Sequence, residues 1–108
     1  KALQSMAGWY IVDQATESVS TSSANQYTVQ NAETRRVAFI VIGGSDGDIR
    51  FAHLDGEGTD TTPESDADSD DMPLPNGTYM VLDLRKGEKL GLYNTTGSTV
   101  TVNICELR

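Results

Sequence analysis

Residues 78–106, TYMVLDLRKGEKLGLYNTTGSTVTVNICE (Thr78 to Glu106), hold three short alternating runs separated by turns, and they decide the fold class. Met80, Leu82 and Leu84, then Leu90 and Leu92, then Val100, Val102 and Ile104 recur at period two, the spacing at which side chains share one face of a strand. Asp83, Lys89, Thr99, Thr101 and Asn103 occupy the other parity, as a sheet with one buried and one solvated face requires. Arg85-Lys86-Gly87-Glu88 and Asn94-Thr95-Thr96-Gly97 supply turn residues between the runs, so the stretch is expected to fold as a three-stranded meander. Cys105 falls on the face opposite Val100, Val102 and Ile104. It reads as a small, partly covered strand residue and not as a nucleophile, since no neighbouring base is in view.

The same pattern extends towards the N-terminus. Turn signals about every ten residues bound five further strands, Trp9 to Asp13, Thr16 to Thr21, Gln26 to Gln30, Arg36 to Ile42 and Asp48 to Leu54, and no amphipathic helix emerges. Gly43-Gly44-Ser45-Asp46-Gly47 and Pro75-Asn76-Gly77 read as tight reversals. The expected architecture is all-β: one domain over 9–108, an antiparallel β-sandwich of jelly-roll-like type with about eight strands, preceded by an N-terminal arm at 1–8. Val37-Ala38-Phe39-Ile40-Val41-Ile42 is apolar at both parities, so both of its faces must be covered. Two readings stand: a central strand with the N-terminal segment folded over it, or a subunit interface.

Charge is distributed unevenly. The chain of 108 residues has 16 acidic and 8 basic side chains, a net charge of -8, and eight of the acids lie in DGEGTDTTPESDADSDD, Asp55 to Asp71, which has no Lys or Arg. The body is therefore charge-balanced, and the tract belongs to a long acidic loop expected over 55–77. Asp66, Asp68 and Asp70 have the spacing of the first ligands of a calcium loop, but that loop needs Gly at its sixth position and Glu at its twelfth, where this chain has Asp71 and Gly77. A solvated loop is the simpler expectation, with no metal assigned. The acidic balance argues against nucleic acid or an anionic membrane as the main partner. No run reaches membrane-span length, and KALQSMAGWYIVD is too short in its apolar part for a signal peptide. The chain does not open on Met, which leaves the true N-terminus open. One cysteine allows no internal disulfide and points to synthesis in a reducing compartment.

No catalytic or cofactor-binding residue is assigned, and an enzyme is not expected. His53, the one histidine, shares parity with Ile49 and Phe51 and reads as a core-edge residue. A single histidine outside any nucleophile elbow makes no triad. Trp9, Tyr10, Tyr27, Tyr79 and Tyr93 could line a sugar platform, although packing at strand ends is the commoner role of such residues. Asn76-Gly77-Thr78 and Asn94-Thr95-Thr96 match the glycosylation sequon but sit where turns demand Asn.

The C-terminal half adds a resemblance. DIRFAHLDG, a variable polar loop, and then MPLPNGTYMVLDLRKGEKLGLYNTTGSTVTVNICELR (residues 48–108) resemble small virion proteins of tailed bacteriophages, which combine an "IRF" strand, a variable loop, a "PLPAG" type turn and a "TVNICEL" type ending. Asn76 stands where that pattern often has Ala. The resemblance implies a structural β-sandwich on the particle surface, made in the host cytoplasm. It would act as a capsid decoration or cement protein clamping the major capsid protein, as a homo-oligomer and often a trimer. Val37 to Ile42 and Lys1 to Gly8 are the candidate contacts with neighbours. A tail or head-fibre component binding a host glycan, and a calcium-dependent adhesion module, are the alternative functions.

Overall fold

The computed structural model describes residues 5–6, 8–20, 24–54 and 72–108. They form nine strands: β1 (Ser5–Met6), β2 (Trp9–Val19), β3 (Ala24–Thr28), β4 (Arg36–Ile40), β5 (Ile49–Leu54), β6 (Met72–Pro73), β7 (Met80–Leu82), β8 (Lys89–Asn94) and β9 (Val100–Leu107). One sheet has the order β1-β2-β9-β4-β7 and the other β3-β8-β5-β6, and every strand pairing is antiparallel. Apart from the two-residue β1, the protein is a sandwich of two four-stranded sheets. No helix among the described residues is long and apolar enough to cross a membrane.

The pairing is nested. β2 lies beside β9, β3 beside β8, β4 beside β7 and β5 beside β6, so the chain is one long hairpin rolled across two sheets, the arrangement of a jelly roll. β5 ends at Leu54 and β6 begins at Met72, and the acidic tract Asp55 to Asp71 lies outside the described residues. β6 and the parallel bridge between Val41 and Asn76 lie inside the span 55–77 expected to be loop, so ordered pairing resumes at Met72.

The meander expected over 78–106 does not form. β7 and β9 belong to one sheet, where both flank β4, and β8 lies in the other sheet between β3 and β5. The two turns cross between sheets and do not join neighbours. Gly87, at a φ of +89°, makes the first crossing, where its N–H bonds the Val29 carbonyl at 3.0 Å. Period two reports which face of a strand is buried, and in a sandwich both sheets bury the same parity, so the pattern was silent about neighbours.

The burial itself follows the pattern. Val37, Phe39 and Val41 from one sheet meet Ile49, Phe51, Leu90 and Leu92 from the other, with Val102, Ile104, Leu74 and Leu84 closing the core. Phe39 and Phe51 contact edge to face, with centroids 5.1 Å apart. Trp9 to Val19 is one strand where two were expected, with an irregularity between Ile11 and Asp13. The extra residue there switches parity, so that Trp9 and Ile11 join the outer apolar cluster while Ala15 packs on the core. Within 1–8, Ser5 and Met6 pair with Tyr10 and Trp9.

Candidate binding surface

At β9 the inward parity of Val102 and Ile104 continues into a carboxylate. Glu106 is fully buried, and every group bonded to it is a donor. It accepts from the Tyr27 hydroxyl, from Gln30 N at 2.9 Å, from Asn31 N at 3.1 Å and Nδ2 at 3.0 Å, and from Thr34 Oγ1 at 2.6 Å. Burial by itself pushes this carboxyl up, but the bonds from Thr34, Tyr27, Gln30 and Asn31 outweigh it and hold the group below its ordinary range. Burial and the Glu106 bond raise the Tyr27 phenol, which stays a donor. The arrangement ties three elements together: β9, β3 of the opposite sheet, and the 29–35 connection. No cation is within bonding distance of the carboxylate among the described residues, so the anion is held by dipoles alone.

The outer face of the β2-β9-β4-β7 sheet is the second feature. Ala38, Cys105 and Leu107 form a small apolar cluster packed against Trp9 and Ile11, which reach it from β2, two strands away from β4 in the same sheet. Elsewhere on this face, Ile42 is 71% exposed, Tyr79 is 45% exposed and Val81 is 37% exposed. A shallow depression of about 520 Å³ opens there, lined by Gln14, Thr16, Tyr79, Asn103 and Cys105 together with Ala15 and Ile104. Burial pushes the Cys105 thiol up, which leaves it a packed strand residue and not a nucleophile.

The other candidate residues are dispersed. His53 is exposed at the end of β5, opposite Leu90; it is not the core-edge residue its parity indicated. Of the aromatic residues, Tyr27 is consumed by Glu106. Trp9 and Tyr10 lie under the guanidinium groups of Arg36 and Arg108, Tyr79 lies on the outer face, and Tyr93 is half-buried on the opposite sheet. They make no common platform. Asn94 is fully buried and donates to the carbonyls of Val19 at 2.9 Å and Ser98 at 2.6 Å, which closes it to glycosylation. Asn76 Oδ1 accepts from Gly44 N at 2.8 Å, the turn role expected of it. Among the described residues no three His, Cys, Asp or Glu side chains converge as a metal site, and Asp66, Asp68 and Asp70 lie outside those residues.

Sequence reasoning missed Glu106, although its signal was present: a carboxylate at the core parity of an otherwise apolar strand. Comparisons with protein-family models, with curated proteins and with solved structures find no match to this chain.

Proposed function

We propose that this protein is a structural virion component, a decoration or cement protein that binds the major capsid protein and stabilises the shell, assembled as a homo-oligomer of which a trimer is the favoured form. The observation that carries this reading is the outer face of the β2-β9-β4-β7 sheet. Its middle is apolar and its far side leaves Tyr79, Val81 and Ile42 in solvent, as a surface made to be covered by another protein would.

The motif residues that resemble phage virion proteins support the reading through what they do. In the ending TVNICEL, Val102 and Ile104 build the core and Glu106 forms the clasp. These are positions that keep a rigid wedge in shape.

Purified protein mixed with undecorated capsids tests it. Saturable, stoichiometric binding is expected, together with greater resistance of the particles to heat. Replacing Tyr79 and Val81 with Ser should weaken that binding while leaving the melting temperature of the free protein nearly unchanged, because both side chains already face water. A protein that ignores capsids and fractionates with tails would move the assignment to a fibre component.

A further inference from the structure

The basic residues of the body collect at one end of the sandwich. Arg36 begins β4 opposite Leu107, Arg108 follows β9, and Arg35 N bonds the Leu107 carbonyl at 2.7 Å. The Arg85–Glu88 turn reaches the same end, joined to the 29–35 connection by the bonds between Val29 and both Gly87 and Glu88. Arg35, Arg36, Arg85, Lys86 and Arg108 therefore lie at that end, as does Lys89 at the start of β8, whose Nζ bonds Thr28 Oγ1 at 3.0 Å. Arg36 pairs with Asp83 at 3.6 Å and Arg108 with Glu33 at 3.8 Å, while Arg35, Arg85 and Lys86 are exposed and form no ion pair among the described residues.

Two of the guanidinium groups are held by aromatic rings. Arg36 lies 4.6 Å from the centroid of Trp9, and Arg108 lies 5.8 Å from that of Tyr10. A guanidinium over a ring face leaves its N–H edge turned towards carboxylates, the edge at which Arg36 meets Asp83 and Arg108 meets Glu33. The backbone carrying Arg35 is set in place by Glu106, which bonds the connection at Gln30, Asn31 and Thr34. A charge on a fixed loop loses little freedom on binding.

We propose that this end is a docking surface for the carboxylates of another protein and, resting on the reading of the chain as a shell-binding protein, for acidic side chains of the shell. A protein partner fits better than a nucleic acid. Glu33, Asp83 and Glu88 are interspersed among the cations, and the whole chain carries a net charge of -8, so phosphates fixed at high density along a stiff nucleic-acid backbone meet repulsion, whereas the carboxylates of a short flexible peptide can each settle on a cation. A protein surface of mixed sign can match this arrangement group by group, which is how charge patterns select partners.

The test uses the full chain in two assays. In the first, amide shifts are followed by NMR as hexaglutamate, hexalysine or a short DNA oligonucleotide is added at low salt. Hexaglutamate should perturb residues around Arg35, Arg85, Lys86 and Arg108, and the effect should vanish at about 0.3 M salt, where the Debye length is only a few ångströms. It should also vanish in the triple variant Arg35→Glu, Arg85→Glu, Lys86→Glu, with the matching Gln variant as a check that the fold survives. No perturbation at this end, or a stronger one from DNA, overturns the proposal, as does salt-sensitive self-association of the wild type that the triple Glu variant loses, which would assign the end to a second copy.

In the second assay, capsid binding by the triple Glu variant should fall by on the order of tenfold or more. Capsid binding by wild type and variant alike sinks the proposal and leaves the shell reading standing. If the wild type fails to bind capsids, the shell reading falls, and the peptide titration still decides what this end recognises.

Discussion

The hydroxyl of Tyr27, on β3 of one sheet, donates a hydrogen bond to the carboxylate of Glu106, on β9 of the other, and so joins the two layers at the edge of an apolar core. The carboxylate is fully buried and surrounded by donors. Its charge state and the integrity of the 29–35 connection are therefore the same question.

The stability of the protein should be acid-sensitive in a way traceable to this residue. The native carboxyl titrates below its ordinary value of 4.5, so its contribution is complete above that pH and is lost as pH falls further, through the native value. Thermal melting from pH 7 down to pH 2 should show this fall in the wild type. Glu106→Gln should flatten that part of the profile, and at neutral pH should cost about 2–4 kcal/mol, because the amide turns a donor towards donors. An unchanged acid profile in the variant would remove Glu106 from the account.

Tyr27→Phe and Thr34→Val each withdraw one donor from the same anion. Each should cost about 1.5–3 kcal/mol, the usual range for a hydrogen bond to a charged group, and should shift the acid transition towards higher pH. Because the two bonds share one acceptor, the double variant should not equal the sum of the singles. Chemical denaturation of all four proteins measures the coupling, and strict additivity would mean that the two donors act independently.

Gly91 lies under Leu54, and a Cβ there would sit 2.8 Å from Cδ2 and 2.9 Å from Cγ of that side chain. Gly91→Ala should therefore destabilise by about 1–3 kcal/mol through overpacking. Leu54→Ala made in the same chain should recover part of the loss, which is read as a double-variant melting temperature above the additive expectation.

Asn94→Ala should cost about 1–3 kcal/mol, since it leaves the buried carbonyl of Val19 without that donor and removes the acceptor for Thr96 N. Expression in a glycosylating host supplies a second readout: Asn94 should stay unmodified in the folded protein, and mass spectrometry of tryptic peptides would detect any sugar.

The fold class was legible because alternation is a direct image of burial. Leu90, Leu92, Val102 and Ile104 were assigned inward and are buried, and Thr101 and Asn103 were assigned outward and are exposed. Sheet membership was not legible, since β7 and β8 show the same inward parity whether they pair or face each other across the core. The bulge near Val12 and the pairing of Met72 with Phe51 depend on registers that local patterns do not encode. Glu106 was passed over as one half of a charge balance, although its parity placed it inside. The basic end could not be read from sequence at all, because Arg35, Arg85 and Arg108 meet only through the nesting of the strands.

That nesting has a kinetic side. The innermost pair, Phe51 with Met72, closes across the acidic tract, and each outer pair becomes entropically accessible once the one inside it has formed. The strand pair β2–β9 spans nearly the whole sequence and has the highest closure cost, so it is expected to close last, and the carboxylate of Glu106 with it. On that order Glu106→Gln should speed unfolding and leave the folding rate unchanged in a chevron measurement, which would make the clasp a brake on unfolding.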